Sequence, residues 1–567
     1  MCGIAGIYGG NIDLGCMDKM LEIQNHRGPD NASKWNDDSI CLGHNRLSII
    51  DLSEEANQPF VSNDNRYILV FNGEIYNYLE LKIELEQHYN FKTNSDTEVL
   101  IAAFLHWGKD CLPKLNGMFA FAIWDTQKKS LFAARDRFGV KPLYYKFSKG
   151  VFTFASEIKT IHTSGIPKIP NESVWASYFA YGSYGVMLNE TFWEGIHQLP
   201  GSHFMTVIDG VISIKKWYFF EDEVKKYSRN ENYETVKSNY TKLLEDSIKL
   251  RFRADVKVGF NVSGGVDSST LLAFVNKMYG ENNIEAYTFY TNDEYYDELY
   301  WVENMIETTS SPLTKVLTTA ETVISSSKAL SFYQDEPFGG IPTIAYNKIF
   351  ETARANGTLV LLDGQGMDEQ WAGYDYYNKN NNAIIQGVNK SPFRPNVLKE
   401  DFLKKAIKPI YPKPFNDKIL DMQFRDLFYT KIPRALRFND RVSMANSTEL
   451  REPFLDYRLV EYAFAQPIDF KIKNGVQKYM LRDIVGEYLS DTISYAPKRP
   501  LQTPQREWLA NELKDEVSTI IDSIKDSNFK HWFNLEKLEN EWLQYINGDQ
   551  ESSFHIWQWL SYIQLIN

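Results

Sequence analysis

The segment 256–278 constrains the fold more than any other. Val256, Val258, Phe260 and Val262 alternate as one face of a strand does. A glycine pair follows at Gly264 and Gly265, and Leu271, Leu272, Val275 and Met278 then recur at helical spacing. Two further apolar runs, 286–289 and 358–362, are separated by helical patterns. Strands that alternate with helices predict a parallel sheet in an α/β layer fold. Ligands of such folds bind beyond the carboxyl ends of the strands. From about Phe402 the pattern is mostly helical.

The first part of the chain reads differently. Short apolar runs at 2–7, 40–44, 68–71, 119–124 and 152–155 predict a β-rich region. Asn72-Gly73 and Phe138-Gly139 read as turns that punctuate them. Ser95-Asp96 opens a helical pattern through Val99, Leu100, Ala103 and Phe104, with serine and aspartate as good caps. A charged, apolar-poor stretch at 221–234 reads as the linker between two domains, 2–220 and 235–567. A chain of 567 residues is long enough for several domains.

Composition narrows the function. With 43% hydrophobic and 24% charged residues the chain is an ordinary globular one, neither disordered nor fibrous. The net charge of −13 argues against a broad nucleic-acid surface. The four cysteines (Cys2, Cys16, Cys41, Cys111) form no C-x-x-C pair, and the nine histidines include no H-E-x-x-H helix, so neither zinc nor a disulfide scaffold is expected. No basic-then-apolar leader opens the chain, and the uncharged stretch 173–189 is too polar to span a membrane. A cytoplasmic, soluble protein is the expectation. The oligomeric state stays open, with a homodimer allowed.

The loop Ser263-Gly264-Gly265-Val266-Asp267-Ser268-Ser269 sits between a strand and a helix. Its glycines let the backbone approach an anion, and the helix N-terminus and three hydroxyls can cradle it. Asp267 would repel a bare phosphate, but it suits Mg²⁺ between carboxylate and pyrophosphate. The lysine of a G-x-x-x-x-G-K-[ST] loop is missing. A second acidic loop, Asp363-Gly364-Gln365-Gly366-Met367-Asp368-Glu369, follows the run 358–362. It can face the first across the sheet edge, with Asp368 as a second metal carboxylate.

Position 2 is the other unusual feature. Loss of Met1 leaves Cys2 with a free α-amine, whose pKa near 8 lets it serve as general base for its own thiol. Asn72-Gly73-Glu74 follows the run 68–71, and the Asn72 amide with the Gly73 N–H can form an oxyanion hole. Arg46 can pair with a carboxylate, while Glu74 and Asp96 can hold an α-ammonium group. Together these suit glutamine, a free amino acid with a side-chain amide.

These motifs, in this order, resemble the glutamine-dependent asparagine synthetase family. The likeness runs nearly end to end. It takes in Cys2-Gly3-Ile4-Ala5-Gly6, Arg27-Gly28-Pro29-Asp30, Asn45-Arg46-Leu47-Ser48, Asn72-Gly73-Glu74-Ile75-Tyr76-Asn77 and Ser95-Asp96-Thr97-Glu98. It continues through both acidic loops, Arg451-Glu452-Pro453-Phe454-Leu455-Asp456 and Lys478-Tyr479-Met480-Leu481-Arg482. The resemblance implies an N-terminal-nucleophile glutaminase with an αββα sandwich, an internal ammonia tunnel and an ATP-pyrophosphatase domain. There ATP and Mg²⁺ activate a carboxylate as an acyl-adenylate, and ammonia displaces AMP. It implies Asp267 and Asp368 as magnesium ligands. Ser263, Gly264, Gly265, Asp267, Ser268, Ser269 and Gly364 are implied as nucleotide contacts, and Lys478 as the lysine that balances charge during adenylation.

Three departures bear on the acceptor. The family's usual Ser-Gly-Glu-Gly is Asp363-Gly364-Gln365-Gly366 here, and an amide cannot hold a proton as a carboxylate does. Ile341 or its neighbours stand where some members place an aspartate-binding arginine. Arg499-Pro500-Leu501 replaces the more usual Arg-Gly-Phe. The expected acceptor, held near Gln365 and Asp368, is L-aspartate, and the alternative is another carboxylate such as a sugar uronic acid. A phosphoribosyl-type amidotransferase fits the 263–269 loop poorly. A regulatory pseudo-enzyme predicts loss of Cys2, Asp267 or Lys478, and all three are present.

Overall fold

Strand Tyr67–Ile75 shows how the first half is built. Ile68 and Val70 point into one apolar layer, Leu69 and Phe71 into another. Its neighbour Gly117–Asp125 does the same, with Ala120, Ala122 and Trp124 on one side and Phe119, Phe121 and Ile123 on the other. Successive strand residues face opposite sides, so apolar residues at both parities mean that both faces are covered.

The computed structural model describes residues 1–10, 13–227, 230–279, 284–378, 391–496 and 502–566. Two six-stranded antiparallel sheets stack in the first half. In one, Gly3–Tyr8 lies between Ile40–Arg46 and Val151–Ala155; in the other, Gly117–Asp125 lies between Tyr67–Ile75 and Ser130–Arg135. Helix Leu14–Ile23 covers the outer face of the first sheet through Met17, Met20 and Leu21. Helix Asp96–Trp107 covers the second through Val99, Leu100 and Ala103. The result is an αββα sandwich.

The second half holds a five-stranded parallel sheet in the order Leu313–Leu317, Ala286–Tyr290, Val258–Asn261, Val360–Leu362, Glu449–Arg451. Helix Val266–Tyr279 leaves the central strand directly. Helices make up most of the chain after Phe402. Two apolar clusters cross between the halves. One joins Met1, Leu47, Ile49 and Met118 to Phe260 and Val266, and the other joins Trp175 and Phe192 to Phe338 and Trp532. No helix among the described residues is long and apolar enough to cross a membrane.

Several sequence expectations need correction. Asn72 and Gly73 are neither a turn nor a segment after the strand: they lie inside Tyr67–Ile75, paired with Ala120 and Phe119. A side chain at 73 would put its Cβ 2.1 Å from Met118 O, so the glycine answers to strand packing. The stretch 221–234 is not a plain linker. Helix Phe220–Lys225 docks through Phe220 and Val224, and the next helix starts at Tyr233; residues 228–229 fall outside the described set. The central strand is shorter than its apolar alternation, Val258–Asn261, and the run 358–362 contributes only Val360–Leu362. The edge strands Leu313–Leu317 and Glu449–Arg451 were not foreseen. Residues 499–501 lie outside the described residues.

Candidate functional site

Cys2 directly precedes strand Gly3–Tyr8 and is 7% exposed. Its backbone N donates to Asn72 Oδ1 at 3.1 Å, and its carbonyl accepts from Arg27 Nε at 3.1 Å. Burial pushes the Cys2 thiol up, against the lowering pull of the N-terminal ammonium, the Leu47 amide and Arg46. Asn72 Nδ2 is buried and makes no hydrogen bond. The amide therefore receives the Cys2 N at its oxygen and keeps its donor in reserve.

The charged residues around it sort into three groups. Arg46 sends Nη1 to Ser53 O at 2.6 Å and to Asn57 Oδ1 at 2.9 Å, and Nη2 to Asp51 O. A guanidinium has five N–H groups, so the Nε–H and one Nη2–H are left for a ligand. Asp96 Oδ2 accepts from the Ile75 N–H at 2.9 Å, so Asp96 is tied to the strand that carries Glu74. Glu74 is raised by burial and by its acidic neighbours Glu449 and Asp96, which Arg451 at 3.7 Å only partly offsets. In the chain that carries Met1, the terminal ammonium donates to Glu449 Oε2 at 2.9 Å. Glu449 belongs to the edge strand of the second half, so the sheet of one half supplies a carboxylate to the N-terminus of the other.

Arg27 is the second link across the halves. It is fully buried, and its Nη1 bonds Glu157 Oε1 at 3.0 Å and Asp440 Oδ2 at 2.9 Å. Burial opposes the Arg27 charge, and the two carboxylates more than offset it.

The second cluster lies at the carboxyl ends of Val258–Asn261 and Val360–Leu362. Gly264 has φ +67°, and a Cβ there would meet Trp301 Cβ at 2.7 Å, so the sharp exit from the strand requires glycine. Ser268 Oγ accepts from the Ser263 N–H at 3.2 Å and donates to Gly265 O at 3.1 Å, which closes the loop on itself. Ser269 Oγ is buried without a hydrogen bond. Gly364 approaches this loop closely: a Cβ there would lie 3.2 Å from the Ser268 N. Asp363, raised to about 6 by burial, receives the Gly364 N–H and the Asn261 amide.

Lys478 ties the two acidic loops together. Its Nζ reaches Asp267 Oδ1 and Oδ2 at 2.6 and 2.8 Å and Asp368 Oδ1 at 2.6 Å. The lysine is 4% exposed. Burial works against its charge, and the two aspartates more than offset that. The residue sits in the left-handed region at φ 53°, held by its N–H on Trp371 O. Beside the pair, Glu369 is pushed up to about 8 by burial and by Asp368, and accepts from Tyr374 OH at 2.8 Å. Gln365 is half-buried on the same loop, and Ile341 is fully buried at the start of helix Ile341–Ala355. A narrow cleft opens next to Ser263, between Val262, Thr288, Phe289 and Tyr346.

So Cys2, Asn72, Gly73, Glu74, Asp96 and Arg46 gather in one half, and Ser263 to Ser269, Gly364, Asp368 and Lys478 in the other. Sequence reasoning missed Glu449, Asp440 and Gly373. Gly373 matters because a Cβ there would stand 2.0 Å from Asp368 Oδ1. Arg27 and Arg451 stood inside quoted motifs without a role.

Residues 1–218 match a glutamine amidotransferase domain, and residues 239–566 match the asparagine synthase family. Glutamine-hydrolyzing asparagine synthetase 1 of Bacillus subtilis is 28% identical, over 94% of this chain and 91% of that protein. Glutamine-hydrolyzing asparagine synthetase 3 of the same organism is 28% identical, over 93% and 91%. Amidase chyE of Penicillium rubens is 26% identical, over 91% and 89%. With an amidotransferase domain ahead of a synthase domain that spans more than half its length, the chain belongs to the asparagine synthase family and is a glutamine-hydrolysing, ATP-using carbon–nitrogen ligase.

Proposed function

We propose that Cys2 releases ammonia from glutamine in the first half, and that the second half activates a carboxylate with ATP and closes an amide on it. The observation that carries this reading is Lys478, which gathers the acidic loops of two adjacent parallel strands onto one ammonium.

Burial keeps the Cys2 thiol protonated near neutral pH, so attack on the glutamine amide needs a base. The α-amine of Cys2, free once Met1 is removed and held by Asn72 Oδ1, takes the thiol proton. Asn72 Nδ2 and the Gly73 N–H face the developing oxyanion. Arg46 receives the α-carboxylate, and Glu74 with Asp96 receives the α-ammonium. The resulting α-ammonium passes that proton to the amide nitrogen, the C–N bond breaks and ammonia leaves, and water then cleaves the thioester to glutamate and restores the thiol. The ammonia passes inside the protein to the second site.

There the 263–269 amides and hydroxyls, with Gly364, hold the triphosphate. An acceptor carboxylate oxygen attacks the α-phosphorus, pyrophosphate leaves, and Lys478 balances the charge. Ammonia then attacks the acyl carbon, AMP departs, and the nitrogen loses a proton. Asp267 and Asp368 are the residues that would hold Mg²⁺. Among the described residues no cluster of three or more His, Cys, Asp or Glu forms a metal centre by itself. Two carboxylates that already share one cation fit Mg²⁺, which takes one or two protein carboxylates and completes its shell with phosphate and water. The ion supplies charge neutralisation on the triphosphate.

L-Aspartate is the leading acceptor, supported by the family and by the names of the two bacterial relatives. A second reading, another carboxylate such as a sugar uronic acid, is favoured by Gln365 in the acceptor loop and by the buried Ile341. Pyrophosphate release with Mg·ATP and glutamine, with and without L-aspartate, and product mass, decides between them. Aspartate-dependent pyrophosphate with asparagine supports the first reading. Glutamine hydrolysis without aspartate stimulation removes it and turns the assay to uronic acids.

A further inference from the structure

A cavity of about 300 Å³ opens between the halves, away from the residues placed in either reaction. The first half contributes Tyr144, Tyr184 and the loop around Pro200, and the second contributes helix Lys431–Ala445. Six Arg or Lys side chains stand in its wall against three Asp or Glu, in a protein whose net charge is −13. Excess positive charge in a concave, partly apolar wall focuses field on a small anion. The volume matches the lower end of small-molecule sites.

Three arginines on successive turns of that helix carry the case. Arg434, Arg437 and Arg441 follow at intervals of three and four residues, so they share one face. Arg437 commits Nη1 to Glu336 Oε2 at 2.9 Å and Nη2 to Pro337 O at 2.5 Å, while its buried Nε makes no hydrogen bond. Arg441 is 1% exposed, donates Nη1 to Ser156 O at 3.0 Å and lies 3.4 Å from Glu157 Oε1 and 3.8 Å from Asp440 Oδ2, while its Nε and Nη2 are buried without hydrogen bonds. Arg434 lines the cavity, and among the described residues no carboxylate lies within ion-pair distance of it. Buried donors without acceptors are costly, and an oxyanion is the acceptor that suits several guanidinium N–H groups at once. Tyr184 lies 4.8 Å under the Arg437 guanidinium, so the wall also offers an aromatic face to the body of the ligand.

We propose that this interdomain cavity is a binding site for a small oxyanion, a phosphate or carboxylate compound, held by Arg434, Arg437 and Arg441. It is separate from the 263–269 loop and from the pocket around Arg46. A ligand there touches both halves and holds them together.

The test is calorimetric titration of the full-length protein, already saturated with AMP and glutamate so that the two reaction sites are filled, with inorganic phosphate in one arm and succinate in the other. The parent is expected to bind at least one of the two saturably. Arg434→Gln is expected to weaken that binding about tenfold, the loss of one charge-assisted contact. Arg437→Lys, which keeps a cation for Glu336, is expected to weaken it as well. Phosphate binding alone assigns the site to phosphate compounds, and succinate binding alone to carboxylates. No saturable binding in either arm, or binding that both variants leave at parental strength, overturns the proposal.

Discussion

Gly373 offers a perturbation whose effect on chemistry and on folding should come apart. A methyl group added there stands 2.0 Å from Asp368 Oδ1 and 2.2 Å from Lys478 Cε, against 3.4 Å or more for ordinary contact. Both obstacles are side-chain ends, so the fold yields by moving them. The strain of such overpacking is about 1 kcal/mol, at the low end of what an extra methyl costs. The reaction cannot yield in the same way. Asp368 and Lys478 must shift by roughly 1 Å, and a displacement of that size costs about 10²-fold in rate, or ~2.7 kcal/mol of barrier. Gly373→Ala should therefore lose about two orders of magnitude in pyrophosphate release with the acceptor that supports turnover. Glutamine hydrolysis, followed as glutamate, should stay near the parental rate, and the melting temperature should fall only slightly. Pyrophosphate release within threefold of the parent would falsify the claim that the Asp368–Lys478 pair is set to within an ångström. Equal loss of both activities would point to damage of the whole chain.

Other outcomes follow from the same geometry. Cys2→Ala should lose glutamine-dependent product and keep ammonium-dependent product; retained glutamine dependence would place the nucleophile elsewhere. Asp267→Asn should abolish pyrophosphate release with Mg·ATP and leave glutaminase activity largely intact, because the carboxylate meets Lys478 within the second half, whereas Cys2 lies in the first. Burial and Asp368 push the pKa of Glu369 up to about 8, so folding favours its protonated form and stability declines as pH rises from its ordinary value of 4.5 through about 8. Glu369→Gln keeps an acceptor for Tyr374 OH and removes that dependence. The stability difference between variant and parent should be near zero below pH 4.5 and grow up to about pH 8, read from thermal unfolding at a pH series; a flat difference would exclude the titration.

What the sequence made legible was local. Ser95 caps helix Asp96–Trp107, with its side chain accepting from the Glu98 N–H, as its position before an apolar-periodic run implies. The 263–269 loop was readable because strand, glycine and helix follow without a break. Asn72-Gly73 misled because that dipeptide is a strong hairpin signal, whereas here the neighbouring strand at Met118 leaves no room for a Cβ. The edge strands escaped notice because Lys315, Glu449 and Arg451 interrupt the apolar runs, and their pairing comes from distant segments. The roles of Glu449 and Asp440 were invisible for the same reason. Each meets a partner more than 400 positions away, Met1 and Arg27.

That last pairing limits how this enzyme can be recombined. Arg27 and Asp440 stand 413 positions apart in the chain, and both are buried. A chimera whose synthase half lacked an acid at the position of Asp440 would leave the Arg27 guanidinium with Glu157 as its remaining carboxylate. Stranding one buried ion costs about 3–5 kcal/mol, a large share of the stability of an ordinary domain. Exchange of halves would therefore succeed where the incoming synthase half brings an acid to meet Arg27, so the seam sets a charge-matching condition on recombination.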